Sequence, residues 1–230
     1  FRDDIEKFIE YNLVDVELVV GFEEKLEFID LCRGIAHAGH VPYEDFVYSS
    51  KYLEGAMLTY LRRKGLVAPN KPADRRERME ALKESGSEKF IGAYVKAPIV
   101  GKYDWIYDLD LTSLYPSIIM TLNISPEAKV GKVQDWDANK FVKGEVDTYR
   151  IGEDTITKEN LKKYLEQSKF SIASNGVLYR TDKVGCIPGI LNLWFDKRVE
   201  YKNEMKKYGK AGNKEKYAFF HKRQLVQKIL

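Results

Sequence analysis

The sequence predicts an α+β fold in which helices at both ends of the chain flank a small antiparallel sheet. Apolar residues recur at steps of three and four between residues 5 and 20, which is typical of an amphipathic helix. Around residues 170–180, two short apolar segments flank Ser174-Asn175-Gly176, a sequence that favours a β-hairpin turn. After Pro188-Gly189, two helical patterns, about 190–208 and 213–230, are joined by a short segment with a glycine at each end, which predicts a helical hairpin.

The composition excludes several classes of protein. Of the 230 residues, 44% are hydrophobic, which is enough to form a core and excludes disorder over most of the chain. Since no apolar run reaches the roughly 18 residues of a transmembrane helix, we expect no membrane span. The two cysteines, Cys32 and Cys186, cannot form a disulfide framework, and they favour an intracellular protein. The net charge of +3 neither requires nor excludes a nucleic acid partner.

The N-terminal part of the chain is predicted to contain two helical regions and a linker. The first extends over about thirty residues with one buried apolar stripe, and Ser50 is a candidate N-cap for the second, which Gly65 ends. Residues 68–89 contain two prolines and many alternating charges, so we expect a linker with one exposed helix around residues 76–83. The chain begins without Met and ends within a helical pattern, which predicts a segment of a longer polypeptide.

The middle of the chain is predicted to contain strands and one short helix. Residues 93–95 and 105–111 are candidate strands, and Thr157 is the predicted N-cap of a helix with an apolar face. A strand that delivers Asp110 into a Thr-Ser turn would present a carboxylate beside backbone N–H groups. That combination suits Mg²⁺ and a polyphosphate. For an isolated Asp at a strand end, an Asx turn is the alternative.

The turn after this strand resembles motif A of the family B DNA polymerases, D-x-x-S-L-Y-P-S-I-I. The match begins at Asp110 and continues through Ser113-Leu114-Tyr115-Pro116-Ser117-Ile118-Ile119 without a gap. Asn123-Ile124-Ser125-Pro126-Glu127 extends the similarity toward the replicative polymerases of T-even-type bacteriophages. Asp108 does not match the motif and is interpreted as secondary or structural. The resemblance implies a template-directed DNA polymerase that joins nucleotides by two-metal catalysis.

The resemblance implies a role for each matching residue of this turn. Asp110 would be one of two carboxylates that hold catalytic Mg²⁺ ions, and Leu111 would add its backbone carbonyl. Tyr115 would be a steric gate whose ring leaves no room for a ribose 2′-hydroxyl group. The nucleotide-binding turn would comprise Leu111, Thr112, Ser113, Leu114 and Tyr115.

The basic residues of the predicted helical hairpin are a second candidate site. Arg198 and Lys202 are one helical turn apart, and a chain reversal at residues 209–212 would bring Lys228 alongside them. Three converging cations would bind a triphosphate, although a solvated basic helix pair is the alternative on charge alone. The resemblance identifies this hairpin as the fingers, where Lys228 would bind the nucleotide and protonate pyrophosphate as a general acid.

Two further segments resemble parts of the same family. Tyr11 and Asp15 are four residues apart, which on a helix places them on one face. They resemble the third motif of the 3′–5′ exonuclease, in which Asp15 would hold a metal ion and Tyr11 would orient the attacking water. Gly92, Ala93 and Tyr94 resemble the segment between exonuclease and palm that contacts DNA. His37 and His40 fit no common zinc pattern.

The resemblance divides the chain into four parts and implies its partners. Residues 1–30 would end a 3′–5′ exonuclease domain, 31–85 would be an N-terminal-domain-like segment with a charged linker, 86–184 the first part of the palm and 185–230 a truncated fingers subdomain. Primer–template DNA and deoxynucleoside triphosphates would be the substrates, in the cytoplasm of a bacterial host. A sliding clamp is a compatible partner, and a membrane is not expected.

The second palm carboxylate motif, Tyr-Gly-Asp-Thr-Asp-Ser, does not occur in these 230 residues. We therefore expect the chain alone to be inactive as a polymerase. The competing hypothesis is a non-catalytic nucleic-acid-binding module whose basic helices contact phosphate groups.

Overall fold

The computed structural model describes residues 4–70 and 95–230 of the chain. The described helices are α1 (Ile5–Leu26), α2 (Phe28–Gly39), α3 (Ser49–Arg63), α4 (Leu114–Leu122), α5 (Ala138–Lys143), α6 (Lys158–Ser168), α7 (Cys186–Lys210) and α8 (Lys214–Ile229). The described strands are β1 (Lys129–Gln134), β2 (Thr148–Ile151), β3 (Asp154–Thr157), β4 (Phe170–Ile172) and β5 (Val177–Arg180). The α+β fold class is thereby confirmed. No helix within these ranges is long and apolar enough to cross a membrane.

The predicted helix of about thirty residues is divided into α1 and α2 at Glu27, which has a positive φ of 53°, and the apolar stripe of α1 is not buried. The Asp4 side chain caps the helix by accepting a hydrogen bond from the Lys7 N–H at 3.0 Å. None of the residues of α1 is buried, and Val19 on the stripe is 67% exposed. An apolar stripe becomes buried only against another packed element. The prediction of a buried stripe is therefore wrong for the part of the chain that the structure describes.

Close helix crossings at glycines hold α2, α3 and α8 together. A Cβ atom on Gly34 of α2 would lie 2.7 Å from Val226 Cγ2 of α8, and one on Gly39 would lie 2.5 Å from Tyr52 Cβ of α3. Without side chains at these positions, the backbones approach closely. Ile35, Tyr52 and Val226 form the buried cluster at this junction.

The second predicted helix is present as α3, although Ser50 does not cap it. The helix begins at Ser49, and its N-cap is Tyr48, two residues before the predicted one. The Tyr48 backbone carbonyl accepts from the Lys51 and Tyr52 N–H groups. Gly65 follows the end of the helix with φ of +70°, a conformation that favours glycine, as the sequence predicts. The prediction of Ser50 as the N-cap is therefore wrong.

The sheet is entirely antiparallel, with strand order β3-β2-β1-β5-β4. The predicted Asn-Gly hairpin connects β4 and β5: Gly176 has φ of +82°, and the Val177 N–H donates to Asn175 Oδ1 at 3.2 Å. Thr157 caps α6 as predicted, since its hydroxyl accepts from the Asn160 N–H at 3.3 Å. The sheet and α6 share a core of four buried residues, which are Val133, Tyr149, Leu161 and Leu178.

The predicted strand at residues 105–111 is absent from the structure. Residues 95–113 contain no helix or strand, and Trp105 is 99% exposed with a positive φ of 61°. An extended segment becomes a strand only when a neighbouring strand pairs with its backbone groups, and no described strand pairs with this segment. Val95 is likewise outside any strand. The rest of that predicted strand, the predicted helix at 76–83 and most of the predicted linker lie outside the described residues.

The C-terminal helical hairpin is confirmed, and its first helix begins earlier than predicted. Helix α7 begins at Cys186, so Pro188 lies in its first turn rather than ahead of it. Proline is tolerated there because the first N–H groups of a helix have no intrahelical partner. Gly212 reverses the chain with φ of +70°, and Asn213 caps α8 by accepting from the Lys216 N–H at 3.0 Å.

Candidate functional site

The turn of the motif A-like segment places an open helix N-terminus beside Tyr115. Ser113 is the N-cap of α4 in a left-handed conformation, with φ of 52°, and its side chain makes no capping hydrogen bond. The side chain of Ser117 points back to this turn and donates to the Thr112 carbonyl at 3.3 Å. The amide groups at the start of α4 are therefore left for another acceptor, and a helix N-terminus favours an anion.

Asp110 and Tyr115 are both accessible from solvent. Asp110 is exposed in the irregular segment before α4, and Tyr115 is 68% exposed at the second position of that helix. Their exposure leaves the carboxylate and the ring free to contact a ligand.

One carboxylate and one backbone carbonyl do not complete a metal site. No group of three His, Cys, Asp or Glu side chains that could hold a metal ion is found among residues 4–70 and 95–230. Asp110 and the Leu111 carbonyl are oxygen donors of the kind that Mg²⁺ prefers, but they are only part of the ligands that it needs. The described residues thus do not fit a complete Mg²⁺ site.

Aromatic contacts between α7 and α8 show which residues of the two helices lie opposite each other. Tyr208 of α7 stacks on Phe220 of α8, with ring centroids 5.6 Å apart and an angle of 3° between the planes. Further from the turn of the hairpin, Lys197 of α7 and Gln227 of α8 line one pocket. The next residues along the two helices are Arg198 and Lys228, which therefore occupy the same level of the hairpin.

The three predicted clamp cations differ in their surroundings. Arg198 is half-buried, and its Nε atom is buried without a hydrogen-bond partner among the described residues. Lys202 and Lys228 are exposed. A buried guanidinium nitrogen without a partner is an unsatisfied donor, which is costly to keep in the interior.

Several other basic side chains of the hairpin lie over aromatic rings. The Arg223 guanidinium carbon is 4.5 Å from the centroid of the Phe219 ring, and Lys216 Nζ is 4.9 Å from that of Tyr208. These cation–π contacts stabilise the hairpin itself. Part of the basic excess of this region therefore serves the packing of the hairpin.

Helix α4 packs against α7, so the motif A-like turn and the fingers-like hairpin are adjacent. Three polar residues that follow α4 make this connection, and their local sequence predicts no role for them. Asn123, Ser125 and Glu127 all hydrogen-bond to the start of α7. Their partners are about sixty residues further along the chain, so local sequence gives no signal of the contact. The only sequence signal is the similarity that continues beyond motif A.

The predicted exonuclease residues lie on one face of α1. Tyr11 and Asp15 are separated by one turn, and both are exposed. The described structure places no other carboxylate of a metal-binding group beside them. Gly92, Ala93 and Tyr94, predicted to contact DNA, lie outside the described residues.

Comparison with known proteins identifies the family of the chain. The sequence profile of DNA polymerase family B matches residues 47–230. The chain belongs to DNA polymerase family B. A DNA-directed DNA polymerase of Escherichia phage RB69 is 25% identical over 200 residues, covering 87% of this chain and 19% of the relative. DNA polymerase 1 of Pyrococcus abyssi is 31% identical over 205 residues, covering 88% of this chain and 21% of the relative.

The solved structure of the family B DNA polymerase from the hyperthermophilic archaeon Pyrobaculum calidifontis shares the fold. Its TM-score is 0.58 at 21% sequence identity, with 96% of this chain and 24% of the archaeal chain covered. The family B chain thus spans about a fifth to a quarter of the relatives it matches. Phage and archaeal polymerases match over similar stretches, so the particular likeness to T-even phages is weakly supported.

Proposed function

We propose that this family B chain contributes the nucleotide-binding half of a DNA polymerase site. The observation that carries the proposal is the open N-terminus of α4, with Tyr115 beside it, on a helix that packs against the basic hairpin. Backbone N–H groups and a helix dipole favour a phosphate group at this point. Deoxynucleoside triphosphates and primer–template DNA are the substrates that the family implies.

The triphosphate would lie between the turn and the hairpin. Arg198 would offer paired N–H donors to phosphate oxygens, and Lys202 and Lys228 would add point charges. The side chain of Lys228 could donate its proton to the departing pyrophosphate. Tyr115, exposed at the second position of α4, would contact the sugar and exclude a 2′-hydroxyl group by its volume.

Mg²⁺ would use Asp110 and the Leu111 carbonyl as two of its ligands, with the remaining ligands coming from outside the described residues. The family's chemistry is a two-metal transfer of a nucleotide to the primer 3′-hydroxyl. In this chain, Asp110 would hold a negative charge at a fixed distance from the nucleotide-binding turn. The partial ligand set is the reason that we assign no catalytic step to these residues alone.

The N-terminal helix supports a second activity of the same polymerase. Tyr11 and Asp15 share the exposed face of α1, so they could contribute to a 3′–5′ exonuclease site, with Asp15 as a metal ligand. The proposed parts of the chain are the exonuclease end (1–30), the N-terminal-domain-like segment (31–85), the palm (86–184) and the fingers (185–230). Gly92, Ala93 and Tyr94 would contact DNA. The polymerase would bind a sliding clamp and would act in the cytoplasm of a bacterial host.

Primer extension by a polymerase that contains this chain tests the proposal. The Asp110→Ala variant should lose extension by at least a thousandfold while it still binds primer–template DNA, because DNA binding rests on many other contacts. The Asp108→Ala variant is the matched control, since Asp108 does not belong to the motif, and its extension should be largely kept. Full extension by Asp110→Ala would favour the non-catalytic nucleic-acid-binding module instead.

A further inference from the structure

The start of the first fingers helix is capped by three side chains that follow motif A. We propose that Asn123, Ser125 and Glu127 act as positioning residues that fix α7 to the end of α4, and so set the distance from Arg198 to the nucleotide-binding turn. These three residues are called the α7 cap below. This inference rests on the proposed function, because it explains what holds Arg198 in position relative to the proposed nucleotide site.

The α7 cap satisfies every backbone donor at the beginning of the helix. The Gly185 N–H donates to Asn123 Oδ1 at 2.8 Å, the Cys186 N–H to a carboxylate oxygen of Glu127, and the Ile187 N–H to Ser125 Oγ at 3.3 Å. The next residue, Pro188, has no N–H group, and the Gly189 N–H already bonds to the Gly185 carbonyl. The N-cap residue Gly185 has no side chain that could do this locally, so the cap comes from elsewhere in the chain.

The residues of the α7 cap also form hydrogen bonds with one another and with the end of β5. Ser125 donates its hydroxyl proton to Glu127 Oε2 at 2.7 Å, which orients the carboxylate toward the helix. The amide nitrogen of Asn123 donates to the carbonyls of Arg180 and Lys183 at 2.6 and 2.9 Å, so the end of β5 is included. Asn123 and Ser125 are only 6% and 1% exposed. A buried network with its partners satisfied is rigid.

Electrostatics favours the same arrangement. Burial opposes the ionisation of Glu127, but hydrogen bonds from the Cys186 amide and the Ser125 hydroxyl outweigh it and hold the pKa of this carboxyl below its usual value. The charged carboxylate then lies at the positive end of the α7 dipole. The geometry and the charge therefore both hold the first turn of α7 in place.

Because α7 is long, a small tilt at the α7 cap would displace Arg198 relative to the nucleotide site. Arg198 lies twelve residues after Cys186, and the rise of 1.5 Å per residue puts it about 18 Å from the cap. A tilt of α7 by about 5° at the cap would move Arg198 by roughly 1.5 Å. A misplacement of about 1 Å can cost on the order of a hundredfold in rate where a substrate is being positioned. The cap is thus a remote determinant of how Arg198 meets the triphosphate.

The test compares four variants of the α7 cap and one control. Asn123→Ala, Glu127→Ala and Gly185→Ala each disturb it, the last because a Cβ atom there would lie 2.6 Å from Ser125 Cβ. Glu127→Gln keeps an oxygen that can accept from the Cys186 N–H and should restore most of the function. The control is Asp137→Ala, which removes an N-cap of the same chemical kind from α5, where Asp137 accepts from the Asn139 and Lys140 N–H groups at 2.8 and 3.1 Å.

Two measurements give the result. Amide hydrogen exchange in the 230-residue chain should be about 5- to 30-fold faster in the first turn of α7 for the three disruptive variants, which is the range for losing a helix cap. In a polymerase that contains the chain, the same variants should raise the KM for dATP at least threefold, while the KM for primer–template DNA stays within twofold. Glu127→Gln and Asp137→Ala should leave the KM for dATP near the original value.

Two outcomes would overturn the proposal that the α7 cap positions Arg198. Unchanged exchange in the first turn of α7 would show that the three side chains do not hold the helix. Faster exchange with an unchanged KM for dATP would show that the cap stabilises the helix without positioning the nucleotide site. Failure of the proposed function is distinguishable from both, since the exchange experiment needs no nucleotide and the Asp110→Ala comparison does not involve the cap.

Discussion

At the scale of single residues, the thiol of Cys186 and the carboxylate of Glu127 share one polar environment. Burial, a hydrogen bond from the thiol to Glu127 and the negative charge of that carboxylate together raise the pKa of Cys186 to about 11. The reactive form of a cysteine is the thiolate. Cys186 is therefore kept in its unreactive form at neutral pH, beside the backbone amide that Glu127 accepts from.

Alkylation by iodoacetamide at pH 8 is a direct test of this environment. We expect Cys186 to react at least tenfold more slowly than the cysteine of an unstructured peptide, because less thiolate is present. The Glu127→Gln variant should react faster, since removal of the carboxylate charge lowers the pKa of the thiol. Mass spectrometry of the 230-residue chain over time gives both rates, with Cys32 as the internal reference. A rate at Cys186 that is equal in both chains would contradict the assigned contact.

Residues that act through distant partners are the part of the site that sequence could not predict. The Asp110–Tyr115 turn is recognisable because its residues are contiguous. Asn123 and Gly185, by contrast, are 62 residues apart, and only the fold brings them within hydrogen-bond distance. Glu127 and Cys186 are 59 residues apart, so their contact is equally hidden from local sequence patterns.

At the scale of elements, short-range patterns predict α3, α6, the α7–α8 hairpin and the β4–β5 hairpin, although not every helix boundary. The Asn-Gly turn, the Thr157 cap and the helical periodicity are all determined by residues within a few positions of one another. The strand predicted at residues 105–111 does not form, because a strand needs a partner strand whose position the local sequence does not specify. The buried stripe predicted for α1 is wrong for a similar reason.

The hairpin is joined to the N-terminal helices by ion pairs at Lys222 of α8. Lys222 Nζ lies 2.6 Å from a carboxylate oxygen of Glu27 and 3.3 Å from one of Asp30 at the start of α2. The hydrogen bond to Glu27 is the largest cause that raises the pKa of Lys222 above its usual value of 10.5, against the opposing effect of burial. The pairs thus connect the α7–α8 hairpin to the start of α2.

We expect Lys222→Met to lower the free energy of unfolding by roughly 0.5–1 kcal/mol, the range for partly exposed ion pairs. A raised pKa means that the contribution is complete below pH 10.5 and is lost as the pH rises through the folded-state value. Urea unfolding at pH 7 and at pH 11.5 measures both effects, and the difference between variant and original chain should shrink at the higher pH. Lys210→Met is a surface control. An equal difference at both pH values would contradict the ion pairs.

At the scale of the whole molecule, the chain carries one of the parts that a polymerase needs. It spans about a fifth of its phage and archaeal relatives, and its described residues do not complete a metal site.

The isolated 230-residue chain should therefore not extend a primer. Under the proposed function, nucleotide transfer by two metal ions would need carboxylates from both palm motifs, and the sequence offers a match to only one of them, at Asp110. Incubation with primer–template DNA, Mg²⁺ and the four deoxynucleoside triphosphates, followed by gel electrophoresis, tests this expectation. Extension that remains after purification and disappears in Asp110→Ala would show that the chain carries a complete site.

The central claim is that Tyr115 and Arg198 contact the sugar and the triphosphate of one nucleotide. Single-turnover incorporation of a matched dNTP and the corresponding rNTP, by a polymerase containing Tyr115→Ala or Arg198→Ala, tests it most directly. We expect Tyr115→Ala to raise rNTP incorporation relative to dNTP, because the ring excludes the 2′-hydroxyl group by volume. Arg198→Ala should weaken the binding of dNTP and rNTP alike. We expect a loss of binding free energy of about 1.5–3 kcal/mol, the range for hydrogen bonds to charged groups. Unchanged sugar discrimination in Tyr115→Ala, or an equally large change in Arg198→Ala, would contradict the account.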